Sequence, residues 1–531
     1  MKLEPESIDI GIEELEALVD GARQQPLNDD AHRKLRGALG TLGEMARLLA
    51  SKEAALRQLR QMLLKPATTG KTRVVREHAG IKPEPDDPAK QKKKRKGHGR
   101  KPARAYEAAE KVKVAHPTLK PGDSCPGCLK GKVYPLKDPA VRVRIVGQAP
   151  VEATVYQLER LRCGLCQEVY EAPPPAGMGE DKRDKTAVSM VALLKYGSGV
   201  PFYRLEGLQS HLGIPLPRST QWDLMAKAAK PLVPVHEERI RQAAQGEVVY
   251  NDDTAVRILP LQRETAAERT GVFTTGIVAV AGGHRMALFF SGGKHAGGNL
   301  ADVLRKRADT LPPPIQMCGA LSRNAPKLAP EREPLMGNCL AHLRRNFTEV
   351  AQNFPPECRY VLETLGAVYG NDDTAREQAM TAAERLAHHQ THSRPLMEQL
   401  RQWGGAQLDE HKAEPNPGLG KAIRYLLKHW EKLTLFLRQP GAPLDSNIVE
   451  RALKKAILNR KNGLFYKTRN GARVGDLYMS LIHTCELCGG NPFDYLTGLQ
   501  KHAAEIAKNP AAWMPWNYRA NLEEATLAKA A

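Results

Sequence analysis

Four of the nine cysteines form two pairs of the kind that bind zinc. Cys125 and Cys128 are separated by two residues, as are Cys163 and Cys166, and 34 residues lie between the pairs. Each pair can direct two thiolates at one ion from a tight turn, and two pairs complete a tetrahedral site. The intervening segment VRVRIVGQAPVEATVYQLERLRC has strand character. We therefore predict a structural Zn²⁺ in a zinc ribbon at residues 111–175; the alternative is four unrelated cysteines.

The remaining cysteine motifs are weaker candidates for metal binding. Cys485 and Cys488 form a third C-x2-C pair without a partner pair, and Cys339 with His342 offers only half a site. A buried, reduced pair is the simpler interpretation of Cys485 and Cys488.

Two carboxylates stand in contexts that suit metal-dependent chemistry on phosphates. Asp252 ends the strand-like run VVY, and Glu450 lies in DSNIVERALKKAILNRKN, a predicted helix with Asp445 or Ser446 as its N-cap. A carboxylate surrounded by cationic side chains suits a metal ion held beside a DNA backbone. The candidate DNA-binding residues of this helix are Asn447, Arg451, Lys454, Arg460 and Lys461. Taken singly, each acid could equally be a surface carboxylate.

The elements around these acids decide between the two interpretations. Residues 246–259 and 271–293 are rich in Val, Ile and Phe and predict three strands, followed by a helix at 295–308 and a fourth strand at 314–318. Residues 340–437 are predicted to be helical. An RNase H-like nuclease core has this order, with one Asp on its first strand, a second at the end of its fourth and a third acid on a later helix. Asp252 and Glu450 occupy the first and third places.

The second place is occupied by Gly319, so one carboxylate is missing there. We do not expect a nearby acid to replace it. Asp253 should point to the opposite face of its strand from Asp252. Asp302 lies on the predicted helix. Asp309 precedes the fourth strand, at the opposite end from Gly319.

The charge of the chain indicates a polyanionic partner. Lys and Arg number 79 against 59 Asp and Glu, a formal net charge of +20, and nucleic acid is the default partner for such an excess. Residues 65–110 form a Pro- and Lys-rich segment that we interpret as a disordered basic linker. Its candidate DNA contacts are Lys92, Lys93, Lys94, Arg95 and Arg100. The chain shows no secretory signal or membrane span, which predicts a cytoplasmic, nucleoid-associated protein.

Two helical regions flank the predicted ribbon. Leucines at positions 35, 42, 49, 56 and 63 repeat every seven residues, which favours either a dimerising coiled coil or a helix packed on its own chain. Residues 186–230 predict two or three short helices with a break at Leu212–Pro215 and an N-cap at Ser219 or Thr220. A helix-turn-helix and plain structural packing are both compatible with that pattern.

The chain resembles a transposase of the insertion-sequence 66 family along its whole length. The matching stretches, in order, are the leucine-rich helix, GHGR, the four paired cysteines, PFYRLEGLQ with LGIPLPRSTQW, NDDTAVRIL, FFSGGKHAGGNL, NCLAHLRRNF, DSNIVERALKKAILNRKN and LIHTCELCGGNPFDYL. The resemblance implies that Asp252 and Glu450 are the first and last members of an Asp-Asp-Glu triad. Gly319 then stands in place of the central Asp, and Gly298 in place of the Glu of a His-Ala-Gly-Glu-Asn pattern.

Two Mg²⁺ or Mn²⁺ ions and transposon-end DNA are the implied cofactors and substrate. The NCLAHLRRNF stretch adds Arg344 and Arg345 as candidate DNA contacts.

The predicted fold is therefore a multidomain α+β chain with an RNase H-like α/β core. The predicted segments are a leucine-rich helical region (1–64), the basic linker (65–110), the zinc ribbon (111–175), a helical DNA-binding region (180–240), the core with a helical insertion at about 350–437 (245–480) and a C-terminal helical tail (481–531). The expected function is DNA transposition by a homo-oligomer, with accessory proteins of the same element as potential partners, and with activity impaired at Gly319. The alternatives are an inactive DNA-binding relic and a regulator of transposition.

Overall fold

The structure is a computed structural model whose described residues form two compact units. It describes residues 148–162, 169–175, 181–261, 271–410 and 418–523, with short stretches at 19, 28–32, 34–37, 117–124, 126, 130, 132–134 and 178–179. One unit contains His342–Thr374, His392–Lys428 and the described part of residues 1–82. The other contains Ala375–Thr391, His429–Ala531 and the chain from Pro83 to Ala341, within the described ranges. Most of the leucine heptads, the basic linker and all four zinc-candidate cysteines lie outside the described residues.

Between residues 148 and 247, the described residues form two short strands and four helices ahead of the main sheet. Strands β1 (Arg160–Arg162) and β2 (Val169–Glu171) pair in antiparallel fashion. Helices α1 (Lys185–Ala192), α2 (Phe202–His211), α3 (Arg218–Ala229) and α4 (Val233–Ala243) follow, with a π-helical turn at Leu193–Gly197. The Asp184 carboxylate caps α1 by accepting the Thr186 N–H at 2.7 Å.

The predicted break between α2 and α3 is present, but the predicted cap is wrong. Gly213 takes a φ of 75° after α2 ends. Helix α3 then begins at Arg218 with Pro217 in the N-cap position and no side-chain cap. Because Pro217 has no N–H and a fixed φ, it starts the helix without a capping side chain, and Ser219 and Thr220 fall inside the first turn.

A five-stranded mixed sheet forms the centre of the second unit. Its strands are β3 (Val248–Ala255), β4 (Phe273–Ala281), β5 (His284–Gly292), β6 (Ile315–Cys318) and β7 (Leu335–Asn338). Helix α5 (Ala296–Leu304) lies between β5 and β6 in sequence. The strand order is β5-β4-β3-β6-β7, with β6 and β7 parallel to β3 and the first three strands antiparallel.

The predicted order of three strands, a helix and a fourth strand is confirmed. The hairpin between β4 and β5 turns on Gly282 and Gly283, both with positive φ, as a two-residue Gly-Gly loop requires. Strand β7 was missed because LMGN is short and has no alternating pattern. At its Gly337 a Cβ would lie 2.8 Å from the Met317 Cε, so the flexible end of that side chain would have to move.

Five helices follow β7, as the sequence predicted for residues 340–437. They are α6 (Leu340–Val350), α7 (Pro355–Glu377), α8 (Ala382–His392), α9 (Arg394–Asp409) and α10 (Gly418–Lys428). In the first unit α9 and α10 pack closely at Gly404, where a Cβ would lie 3.4 Å from Ile423. The short helix α11 (Trp430–Leu433) then returns to the second unit.

Four further helices complete the second unit. They are α12 (Asn447–Gly463), α13 (Arg469–Leu487), α14 (Pro492–Lys501) and α15 (Ala503–Lys508). One face of the sheet packs on α12 and α13, through residues such as Val278, Phe289, Val449 and Tyr478. The other face packs on α4 and α5, through residues such as Val249, Ile277, Leu300 and Val303. Among the described residues, no helix combines the length and apolar character needed to cross a membrane.

Helix α13 covers the outer edge of strand β5. Asp476, Ser480 and Thr484 are spaced by four residues, so they lie on one side of the helix. They accept the N–H groups of Ser291 at 2.7 Å, Phe289 at 2.9 Å and Ala287 at 3.0 Å. An edge strand otherwise presents unpaired N–H groups that can pair with another chain. Helix α13 satisfies three of these groups on β5, those of Ala287, Phe289 and Ser291.

Asp476 makes the stability of this unit dependent on pH. Burial raises the pKa of Asp476 to about 7, although both carboxylate oxygens accept hydrogen bonds from Ser291. Because the folded pKa lies above the unfolded one, the folded state binds the proton more tightly and stability falls as pH rises from about 4 to about 7.

Replacing Asp476 with Asn should remove this pH dependence. The amide can accept the Ser291 N–H and donate to its hydroxyl, so Asp476→Asn should be more stable than the parent by about 1–2 kcal/mol at pH 8 and equal to it near pH 4. Thermal unfolding from pH 4 to pH 8.5 measures this, with the exposed Asp302→Asn as the control. Parallel curves for parent and Asp476→Asn would contradict the role of this carboxyl.

Candidate functional site

Helix α12, which carries Glu450, packs on the face of the sheet that carries Asp252. Asp252 pairs with Gly276 across the β3–β4 ladder, so both positions face the same side. A Cβ at Gly276 would lie 3.0 Å from Leu453 and 3.5 Å from Val449, which shows that α12 packs closely at this point. Glu450 lies between these two contact residues in the first turn of α12. The missing side chain at Gly276 therefore lets α12 bring Glu450 to the face that carries Asp252.

The first end of α12 is capped locally, and its last turn contacts the end of β3. Ser446 takes the N-cap position, as predicted, but without a side-chain cap; instead the Asp445 carboxylate accepts the Asn447 N–H at 3.0 Å. At the other end, the Arg460 guanidinium donates to the Thr254 hydroxyl at 3.0 Å and to the Ala255 carbonyl at 2.6 Å. Arg460 thus holds the end of β3 as well as being a candidate DNA contact.

Gly319 is buried and follows directly on β6. The last pair of the β3–β6 ladder joins Asn251 to Cys318. The next position on β3 is Asp252 and the next on β6 is Gly319, so a side chain at 319 would lie beside Asp252 if the register continued. The chain therefore lacks a side chain at the place where the predicted triad needs its second carboxylate.

A buried polar network fixes the loop that follows Gly319. The Asn251 amide donates to the Asn324 carbonyl at 2.8 Å, and the Gln316 amide donates to the same carbonyl at 2.8 Å and to the Asn251 Oδ1 at 2.7 Å. All three side chains are fully buried. The Asn324 amide reaches to 3.5 Å from the Asp252 Oδ1. Sequence reasoning missed this network, although two amide side chains within buried strands were a visible signal.

Asp253 belongs to the other face of the sheet, as predicted. Its side chain is 1% exposed and accepts from the His295 Nδ1 at 2.9 Å and from the Ala296 N–H at 3.3 Å. The Arg323 guanidinium lies 3.4 Å from its Oδ1. Asp253 is therefore committed to the start of α5 and the loop after β6.

The other acids near the site have their own partners. Asp302 forms ion pairs with Lys294 and Arg305 on the exposed surface of α5, and Asp309 pairs with Arg332. Neither carboxylate is brought to Asp252 by these contacts.

The candidate DNA contacts divide between exposed and half-buried positions. The exposed ones on α12 are Asn447, Arg451, Lys454 and Lys461, and Arg460 is half-buried. Arg344 and Arg345 are half-buried on α6, in the other unit. Residues outside the described part of the chain are Lys92, Lys93, Lys94, Arg95, Arg100, Cys125, Cys128, Cys163 and Cys166.

The described residues do not fit a site for two divalent ions. No group of three or more His, Cys, Asp or Glu side chains among them could hold an ion. Asp252 and Glu450 supply two carboxylates, and Gly319 supplies none. Cys485 is buried and Cys488 partly so, and burial raises the pKa of the Cys485 thiol to about 12. That result agrees with a buried, reduced pair.

Comparison with known proteins identifies the family. Residues 183–474, more than half of the chain, match the family described as "Transposase IS66 family". The chain belongs to this family. The matched region runs from the helices before the sheet to α13 and includes Asp252, Gly319 and Glu450.

Three proteins of Sinorhizobium fredii (strain NBRC 101917 / NGR234) resemble this family member. "Uncharacterized protein y4jD" is 26% identical over 391 residues, covering 68% of this chain and 72% of the relative. "Uncharacterized protein y4hP" is 25% identical over 391 residues, covering 68% and 67%. "Uncharacterized protein y4qI" is 25% identical over 341 residues, covering 62% of each. Membership of the IS66 transposases supports a transposase-type function, an enzyme class that acts on DNA and typically uses divalent metals.

Proposed function

We propose that this chain is a DNA transposase that binds the ends of its insertion sequence, and that its strand cleavage and transfer are impaired at Gly319. The observation that carries the proposal is that α12, the helix of Glu450, packs against Gly276 on the sheet face that carries Asp252. Asp252 and Glu450 are the first and third acids of the expected triad. A chain that had merely borrowed the fold would have no reason to keep this pair together.

The strand arrangement supports an RNase H-like core. Three antiparallel strands, a helix and a parallel fourth strand occur in the order that we expected for this core, and a fifth strand follows them. The first strand, which carries Asp252, lies in the centre of the sheet. In mixed sheets of this kind, functional side chains gather where the strands end beside a change in connection. Gly319 follows the end of β6, and Asp252 lies within β3 one position beyond the residue that pairs with Cys318.

The exposed residues of α12 supply a surface for DNA. Arg451, Lys454 and Lys461 surround Glu450 or follow it along the helix, and no acidic residue of α12 other than Glu450 competes with them. With a net charge of +20 for the whole chain, contacts to phosphate should dominate binding and make it dependent on salt.

The surroundings of the paired cysteines support a structural zinc ribbon. Ser124 and Lys132 form an antiparallel bridge across Cys125 and Cys128, and β1 and β2 pair across Cys163 and Cys166. Each C-x2-C pair is thus flanked in sequence by bridged residues, which is compatible with a zinc knuckle. In the proposal Zn²⁺ stabilises the region next to the basic linker.

A second candidate function is DNA binding without catalysis. Gly319 favours it, because Mg²⁺ demands near-ideal octahedral geometry and the remaining pair offers one carboxylate fewer than expected. Such a chain would occupy transposon ends, alone or in mixed oligomers with active copies, and accessory proteins of the element are potential partners of either form.

Binding to terminal DNA tests what the two functions share. The full chain should retain a labelled duplex that carries an end of its element more tightly than a shuffled duplex. Affinity should fall at least about tenfold between about 50 and 200 mM salt. Gel retardation with zinc-loaded protein measures the preference for the end duplex and the loss of affinity with salt. Failure to retain either duplex at low salt would contradict DNA binding altogether.

A further inference from the structure

A buried carboxylate holds an exposed histidine and an exposed arginine near the end of β6. Asp253 lies on β3, His295 immediately precedes α5, and Arg323 lies in the loop after β6. We call these three residues the Asp253 cluster. The three come from segments that the sheet brings together, and the family assignment gives none of them a role.

The inner part of the cluster is the buried carboxylate of Asp253, whose contacts lie within the cluster and the start of α5. The Asp253 side chain is 1% exposed, and its Oδ2 accepts from the His295 Nδ1 at 2.9 Å and the Ala296 N–H at 3.3 Å. Its Oδ1 is buried without a hydrogen bond, and the Arg323 guanidinium lies 3.4 Å from it. A buried carboxylate is tolerated only with such donors, so Asp253 fixes the positions of the His295 and Arg323 side chains.

The outer part of the cluster faces solvent. The side chains of His295 and Arg323 are 40% and 44% exposed. Both lie against the Phe273 ring, with centroids 4.1 Å apart for His295 and the guanidinium 6.0 Å from the ring centroid. Because Nδ1 of His295 binds Asp253, its Nε2 is the nitrogen left for an external group. The planar guanidinium of Arg323 is suited to phosphate oxygens.

Two members of the cluster are next in sequence to residues of the candidate site. Asp253 follows Asp252, and Arg323 precedes Asn324, whose amide lies 3.5 Å from the Asp252 Oδ1. Gly298 is exposed in the first turn of α5 and adds no negative charge there. The nearest acid on the surface of α5, Asp302, is paired with Lys294 and Arg305.

We propose that His295 and Arg323 together bind one phosphate of the DNA backbone on the α5 face of the sheet, near the end of β6, and that Asp253 is the positioning residue for both. The His295 ring contacts Asp253 through Nδ1, which leaves Nε2 to contact a phosphate oxygen. The inference rests on the proposed function, since it names how that site receives DNA. It also removes Asp253 as a replacement for the missing acid, because both of its oxygens are taken by the cluster.

The salt dependence of DNA binding tests the proposal. Arg323→Gln and His295→Gln should each weaken binding of a fluorescein-labelled duplex by about tenfold in EDTA, and the slope of log affinity against log salt should become smaller by about 1. Asp253→Asn should have the same effect, although it lies out of reach of the DNA. Arg305→Gln is the matched control, since it removes an exposed arginine from α5 away from the site and should leave the slope unchanged.

Each result decides the matter. An unchanged slope for both Arg323→Gln and His295→Gln, with the parent binding DNA, would overturn the cluster while leaving the proposed function intact. A parent that binds no DNA would overturn both. If Asp253→Asn lowers thermal stability too far to assay, the two exposed variants still decide the outcome.

Discussion

Replacing Gly319 with Asp is expected to convert a chain with little or no strand cleavage into one that cuts the terminal DNA of its element. The substitution would place a third carboxylate beside Asp252 at the end of β6, one position beyond the Asn251–Cys318 pair. Because α12 with Glu450 already packs on the face that carries Asp252, we expect this single change to complete the predicted triad. With three carboxylates the site would have the charge and ligand number that divalent ions need. We expect a gain of at least about a hundredfold in cleavage rate, because two-ion catalysis fails without its ligands.

Labelled transposon-end DNA with Mg²⁺ or Mn²⁺ measures this gain, and two controls define its cause. Gly319→Asn adds a side chain of similar size without charge and should remain nearly silent. The double variant Gly319→Asp with Asp252→Asn should lose the gain. Binding of Mn²⁺ to the DNA-free proteins gives a second readout, which should strengthen only where three carboxylates are present.

A parent that cuts as well as Gly319→Asp would contradict our placement of the second acid. Asp253, Asp302 and Asp309 would then have to be replaced one at a time. Since all three have partners in the structure, a catalytic role for any of them would require those partners to be released on binding DNA.

Two neighbouring glycines in α5 should respond to alanine in opposite ways. A Cβ at Gly297 would overlap the Ala325 carbonyl group, lying 2.7 Å from its carbon, and would lie 2.8 Å from the Arg323 carbonyl oxygen. Backbone atoms cannot move aside as a flexible side chain does, so Gly297→Ala should destabilise the protein by about 3 kcal/mol. At Gly298 a Cβ would meet only the Lys294 side chain, at 3.6 Å. Gly298→Ala should therefore stabilise α5 by about 0.5–1 kcal/mol through helix propensity.

Thermal unfolding of the two variants and the parent measures this difference. Gly297→Ala should also weaken DNA binding, because the loop that it displaces carries Arg323 and Asn324. Gly298→Ala is the matched control in the same turn. Equal stability of the two variants would show that the loop after β6 yields easily, and would weaken the case that it holds Arg323 in place.

Part of the candidate site could be read from the sequence because it depends on local pattern. The β-branched runs around 248–255 and 273–292 predict strands, and a Gly-Gly pair predicts their hairpin. The polar and apolar alternation of β3 correctly placed Asp252 and Asp253 on opposite faces. The resemblance located Glu450 and showed that Gly319 lacks the expected carboxylate. These inferences use residues within a few positions of one another, or a motif that carries its own context.

Other parts could not be predicted, because they depend on which distant residues meet. The short strand β7 has no periodic signal and forms only because β6 offers it a parallel partner. Pro217, not Ser219 or Thr220, precedes α3, since both kinds of residue are acceptable at a helix start. Nothing local distinguishes Gly297 from Gly298, and only the packing of α5 on the loop after β6 separates their roles.

By itself, then, the sequence determined the order and type of the core elements, the paired cysteines, the basic character of the chain, and the missing acid at position 319. The tertiary structure alone decided that Gly276 admits α12, that Asp253 anchors His295 and Arg323, and that Asp476, Ser480 and Thr484 cover the edge of β5. The physical reason is the sequence separation over which each kind of interaction acts. Secondary-structure propensity and polar–apolar alternation act along a few residues. These contacts join groups that lie 42 to 197 positions apart in the chain, and they exist only after the sheet and its helices have packed.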